Sequence, residues 1–213
     1  MSYYLWLLTL FIYKLMETKY DDFDLEQIRI LKTSKNGSKI TIFKIIDSNS
    51  EGFNIKTPPL YMPWTVTPKM FFNKMNANIA IYTDDDFKKF IDSFDKKINL
   101  LLKDNDIKIK ITNSVTQTGT YPATFKAKIN FKDDEMVLNV LDTKRKPVDA
   151  SHLIKKSRCA MYIKPVHVWL NDSKAGITWT CEKVIVKKYT EPEQASENND
   201  TCEMSIKRMK FNK

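Results

Sequence analysis

The sequence predicts a mainly β fold of the α+β class, an antiparallel sheet or small barrel with one inserted amphipathic helix. Three observations predict it. Roughly eight short runs of β-branched and aromatic residues follow one another at hairpin-like spacing, a single twenty-residue stretch carries a helical period, and strands do not alternate with helices as a doubly wound sheet requires. No internal repeat is visible. With 213 residues, 42% of them hydrophobic and 29% charged, the chain holds enough apolar material for one sizeable core.

The first fifteen residues stand apart. Tyr3 to Tyr13, YYLWLLTLFIY, is an apolar run shorter than the roughly twenty residues that span a bilayer. It lacks the basic flank and the small-residue cleavage site of a secretory signal. Met16 opens METKYDDFDLEQIRILK, which reads as the start of a soluble domain. Residues 1–15 are therefore expected to be an upstream extension of the reading frame, with a peripheral apolar anchor as the alternative. A single domain is expected over residues 16–189.

Within that domain QIRILK and SKITIFKII read as strands, followed by a turn at DSNSEG. Four prolines between Thr57 and Pro68 forbid a central strand or a helix interior and leave an ordered loop or edge that carries Trp64. From Asp84 to Lys103, Phe87, Phe90, Ile91, Phe94, Ile98 and Leu101 recur every three or four residues behind three aspartates, which is an amphipathic helix with acid at its positive end. Period two then returns. IKIKI (Ile107 to Ile111) sets isoleucines against Lys108 and Lys110, and TFKAKINFK sets Phe125, Ala127, Ile129 and Phe131 against Lys126, Lys128, Asn130 and Lys132. MVLNVLD reads as a strand and TKRKP as a basic loop. In SRCAMYIK, Cys159, Met161 and Ile163 alternate with an outward series of Arg158, Tyr162 and Lys164. Residues 190–213 form an acidic-then-basic tail: five acidic residues and no Lys or Arg from Thr190 to Glu203, then Lys207, Arg208, Lys210 and Lys213.

The motifs of common chemistries are missing. There is no phosphate-binding glycine loop, no HExxH, no GxSxG, and only four glycines in all. The clusters Asp84–Asp86 and Asp133–Glu135 could serve a metal-dependent nuclease, but the first suits a helix start and the second a hairpin turn. His152, Cys159, His167 and Cys181 have spacings that match no common zinc pattern. No catalytic residue, metal or cofactor is expected. Three cysteines, Cys159, Cys181 and Cys202, without CxxC spacing fit free thiols in a reducing, intracellular compartment.

Charge is the positive signal. The chain carries +9, and from Asp142 to Lys188 eleven Lys or Arg face four Asp or Glu, so most of the excess lies in that quarter. Tyr162, Trp169, Trp179 and Tyr189 are interleaved there. Cations that pair with phosphates and rings that stack on bases are the pattern of sequence-tolerant single-strand binding. If the strand through VHVWLN is regular, Val166, Val168 and Leu170 share the core face and Trp169 points outward with His167. In GITWTCEKV, Trp179 shares a face with Ile177 and Cys181 and is expected to be buried.

FNIKTPPLYMPW and IKPVHVWLNDSKAGITWTCEKVIV, with the helix and the lysine strand between them, resemble the single-stranded-DNA-binding proteins of large DNA viruses of eukaryotes, which are similar to phage replication proteins. The resemblance covers roughly Gln27 to Lys188. It implies an OB-fold-like antiparallel barrel and a role in viral DNA replication, recombination or repair, at a nuclear or cytoplasmic replication site. Pro63, Trp64 and Thr65 stand where family members commonly have Pro-Phe-Gly, and the tail departs from phage relatives by ending basic. The expected groove is lined by Lys126, Lys128, Arg158, Tyr162, Lys164, Trp169 and Lys183, with Lys144, Arg145 and Lys146 on a flanking loop. Single-stranded DNA is the expected partner, with replication proteins as partners of the tail and no membrane. The rival readings are a packaging protein that binds duplex DNA or RNA by charge, and a nuclease.

Overall fold

The computed structural model describes residues 17–33 and 40–190. Most runs in which apolar and polar residues alternate, and whose apolar set reaches a shared interior, form strands. Thirteen strands and one α-helix occur among the described residues: β1 (Glu17–Lys19), β2 (Arg29–Lys32), β3 (Thr41–Ile46), β4 (Asn54–Lys56), β5 (Leu60–Tyr61), β6 (Lys69–Phe71), β7 (Lys74–Tyr82), α1 (Asp85–Asp104), β8 (Val115–Thr116), β9 (Thr124–Lys132), β10 (Glu135–Val137), β11 (Asn139–Leu141), β12 (Arg158–Leu170) and β13 (Ala175–Lys187).

The hairpin of β12 and β13 is the spine. Its turn is held by Asn171, whose Oδ1 accepts from the backbone N–H groups of Ser173 and Lys174. The free edge of β12 takes β3, β4 and β5 in antiparallel register. The free edge of β13 takes β9 and β11, both parallel. Beyond β9 lie β7 and then β6, both antiparallel, and β1 runs parallel to β4. The result is a mainly antiparallel, OB-fold-like barrel with one inserted helix, and three parallel pairings are grafted onto it. Phe43, Ile55, Ile79, Phe125, Met161, Ile163, Val168 and Val184 from the strands share one core with Phe87, Ile91, Phe94, Ile98 and Leu102 from α1.

The helix forms as its sequence demands. Asp84 caps it, accepting from Phe87 N at 2.8 Å, and Asp85 and Asp86 occupy the first turn, where the helix dipole favours negative charge. Four of the predicted apolar positions are fully buried; each is worth roughly 1.5–3 kcal/mol over leaving it exposed. Leu102, rather than Leu101, completes the buried stripe. The helix lies against β2, β8 and the turn at Tyr20–Asp22.

Three expectations need correction. IKIKI has the predicted faces but is not a strand: Ile111 N donates to Asn99 Oδ1 of the helix, and Ile111 makes one isolated bridge to Ala175, so the segment docks on α1 instead of joining a ladder. MVLNVLD is broken in two, because β10 pairs with β9 whereas β11 pairs with β13. SRCAMYIK and VHVWLN are one strand of thirteen residues that passes straight through Pro165. One further hairpin, of β6 and β7, forms where Ala77, Ile79 and Ile81 alternate with Asn76 and Asn78 and are buried. The extension at residues 1–15 and the tail beyond Thr190 lie outside the described residues.

Candidate nucleic-acid interface

Two irregularities build the outer face of the spine. In a regular strand, residues 158, 162 and 164 would face opposite to 167 and 169. The ladder shifts between Pro165 and His167, and again between Tyr162 and Ile163. The first shift leaves Val166 as an extra residue on β12 and the second leaves Glu182 as an extra residue on β13. Such bulges re-aim side chains, and the first also gives Pro165 a place in an interior strand. Arg158, Tyr162, Lys164, His167 and Trp169 consequently share one face. Opposite them on β13 lie Lys187, Lys183, Thr180, Thr178 and Gly176. Next to Thr180, β9 contributes Lys128, and β7 places Asn78 beside Lys128. Lys44 pairs with His167 across β3.

Close contacts fix the side chains of this row. The Trp169 ring crosses directly over Gly176: a Cβ there would come within 2.7 Å of Trp169 Cζ2. Trp169 is half-buried for that reason. Lys164 passes over Gly52 in the same manner, with its Cε 2.8 Å from the position a Cβ would take. His167 shares a 3.0 Å hydrogen bond between its Nε2 and Thr178 Oγ1. Burial, and next the charge of Lys128, lower the pKa of its imidazole below the ordinary value. Arg158 donates Nε to the Pro59 carbonyl at 2.8 Å and holds its guanidinium 5.8 Å from the Tyr61 ring.

Two grooves adjoin this surface. One, of about 600 Å³, is lined by Lys19, Lys56, Arg158, Lys187 and Thr143 among others; Thr143 brings the loop of Lys144, Arg145 and Lys146 to its rim. That loop is shaped by Asp142, whose Oδ1 accepts from Lys144 N and Lys146 N. The other, of about 730 Å³, is lined by Trp64, Lys69, Phe71, Asn76, Asn78 and Lys126. Lys126 Nζ sits 5.1 Å from the centroid of the Trp64 ring.

Solved structures of two phage proteins are similar to this chain. One is the single-stranded DNA-binding protein from bacteriophage Enc34 in complex with ssDNA, 14% identical with a TM-score of 0.47 over 79% of this chain and 99% of that one. The other is the single-stranded DNA-binding protein encoded by bacteriophage T7, 13% identical with a TM-score of 0.44 over 74% of this chain and all of that one. No protein-family model and no curated protein matches the sequence.

Of the ten predicted site residues, Lys128, Arg158, Lys164, Trp169 and Lys183 come together on the spine and its neighbour β9. Lys126 falls in the Trp64 groove, and Lys144, Arg145 and Lys146 border the groove at Arg158. Tyr162 is the exception. Its position faces outward, yet only 2% of it is exposed, because Lys183 Nζ lies 3.9 Å from the ring centroid and Lys56 Nζ 5.8 Å. The ring is a base on which two lysines rest, not an open platform. Trp179 is buried as expected: Nε1 donates to Ser114 Oγ at 2.9 Å, and Ser114 donates through N and Oγ to the two carboxylate oxygens of Asp95, both at 2.7 Å. Burial raises the Asp95 pKa to about 6.

The sequence reading missed Trp64, Phe71, Lys69, Lys44 and Lys56. The omitted β6–β7 hairpin accounts for Lys69 and Phe71, and its alternating Asn76, Asn78 and Ala77, Ile79 was the available signal. The aspartate clusters have structural jobs: Asp84 is the helix cap, and Asp133 and Asp134 form a left-handed two-residue turn between β9 and β10. Among the described residues no group of three or more His, Cys, Asp or Glu is placed to hold a metal. Cys159 and Cys181 are buried free thiols, and burial pushes Cys181 up to about 12.

Proposed function

We propose that this chain is a non-enzymatic, sequence-tolerant single-stranded-DNA-binding protein. One observation carries the reading: a bulge at Val166 puts Arg158, Lys164 and Trp169 of β12 on one face, a bulge at Glu182 puts Lys183 of β13 beside them, and Lys128 of β9 borders them. A polyanion gains from that row through phosphate pairing, and an aromatic ring within it gives bases a surface to stack on. At about 3.3 Å of rise per residue, Arg158 to Trp169 spans at most roughly 35 Å, a length that suits a site of several nucleotides. Lys144, Arg145 and Lys146 extend the cationic path at the Arg158 end, and Lys126 with Trp64 widens it across β9 and β7.

The finer parts of the reading are that the protein serves viral DNA replication, recombination or repair, that it is kin to the single-strand-binding proteins of large DNA viruses of eukaryotes, and that it works in a reducing compartment at a nuclear or cytoplasmic replication site. The resemblance in FNIKTPPLYMPW and in the β12–β13 hairpin supports the kinship, and two buried free thiols fit the compartment. Replication proteins are the partners proposed for the tail.

Trp169→Ala tests the reading. In folded protein it should weaken oligo-dT binding by about 1–3 kcal/mol with little dependence on base sequence. Unchanged affinity would remove Trp169 from the site and leave a charge patch, which is the packaging alternative.

A further inference from the structure

The tip of the β6–β7 hairpin is apolar where a turn is ordinarily polar. Met70, Phe71 and Phe72 are 67%, 63% and 87% exposed, three large apolar side chains in succession. The turn that joins Phe71 to Lys74 consists of Phe72 and Asn73, with φ of 47° and 56°. This left-handed pair is the conformation that Asn, Asp and Gly adopt readily and a bulky side chain does not. Asp133 and Asp134 make the equivalent turn between β9 and β10 with short polar side chains, so this barrel has no need of a ring at such a position. Phe72 therefore carries a conformational cost and leaves its ring in water.

Three further facts say what the ring meets. Phe71 and Phe72 pack edge to face with centroids 4.5 Å apart. Phe71 is also a wall of the groove that contains Trp64, Asn76, Asn78 and Lys126. From Thr65 to Thr83 the only charged residues are Lys69 and Lys74. An apolar protein surface would have to desolvate those lysines, whereas a nucleic-acid strand would pair its phosphates with them and stack its bases on the rings.

We propose that the β6–β7 hairpin is a second base-stacking site, in which Trp64 and Phe71 bracket one base in the groove and Phe72 stacks on the next base beyond it. Lys69, Lys74 and Lys126 neutralise the flanking phosphates. The proposal rests on the single-stranded-DNA reading above, and it extends the binding path from the spine to the far side of β7.

The test uses the full chain and fluorescein-labelled oligo-dT. Phe72→Asn should melt about 2–4 °C higher than wild type, because the strained position is relieved. It should bind oligo-dT about fivefold or more weakly with an unchanged dependence on salt. Phe71→Ala should lose about fivefold to a hundredfold, and Phe72→Tyr, which keeps the ring, should bind as wild type does. If wild type binds and both Phe72→Asn and Phe71→Ala bind equally well, the stacking site is overturned while the single-strand reading stands. If Phe72→Asn instead changes the sedimentation of the protein and leaves oligo-dT affinity alone, the tip is an interface between copies and the proposal is likewise overturned. A wild-type chain that fails to bind oligo-dT removes both.

Discussion

Gly176→Ala is the substitution whose consequence follows most directly from the geometry. The added methyl would lie 2.7 Å from Cζ2 and 2.9 Å from Cε2 of Trp169, whereas ordinary contact begins at 3.4 Å. The indole must therefore retreat by about 0.7 Å or leave its rotamer. Overpacking of this kind costs about 1–3 kcal/mol, which for a domain of this size lowers the melting temperature by about 2–4 °C per kcal/mol. A double-mutant cycle isolates the cause. In a Trp169→Ala background the methyl meets no ring, so the cost of Gly176→Ala should vanish, leaving a coupling energy of about 1–3 kcal/mol. Thermal unfolding followed by circular dichroism gives the four values. An equal cost in both backgrounds would refute the contact and, with it, the outward placement of Trp169.

Two further predictions concern charge. Asp95 is raised from 3.8 to about 6, first by burial, against the pull of its two hydrogen bonds from Ser114. The folded chain thus holds a proton that the unfolded chain has released between those values, so stability falls as pH rises from about 4 to about 6, by roughly 3 kcal/mol in all. Asp95→Asn should flatten that part of the melting-temperature profile, and a variant that still follows wild type across the window would contradict it. Lys126→Ala should reduce the slope of log affinity against log salt by about 0.7–1, measured by oligo-dT titration at several ionic strengths; an unchanged slope would place Lys126 outside the phosphate path.

What could be read from the sequence was whatever depends on short periods. The α1 stripe, the lysine face of β9 and the burial of Trp179 each follow from neighbours within about ten residues. A regular period puts Trp169 outward and Val166 on the core face; the bulge at Val166 is what reconciles the placement of Trp169 with Arg158 and Lys164, and bulge position depends on the partner strand. IKIKI shows the limit of periodicity: alternation gave its faces, but the amide of Asn99 from α1 decides that it does not enter a ladder. Tyr162 fails for a related reason. Its parity is right, yet Lys183 and Lys56 arrive from two other strands and cover the ring. Trp64 and Lys126 are separated by more than sixty residues, and only the tertiary fold makes them one groove.

The measurement that bears most directly on single-strand binding is a salt-dependent competition. Fluorescein-labelled oligo-dT bound to the full chain is challenged in turn with duplex DNA and RNA while tryptophan emission is recorded. Single-stranded DNA should outcompete duplex by about tenfold or more with emission quenched, since bases stack on exposed rings. Equal competition by duplex with unchanged emission would contradict the account and leave the basic face as a surface that binds phosphates by charge alone.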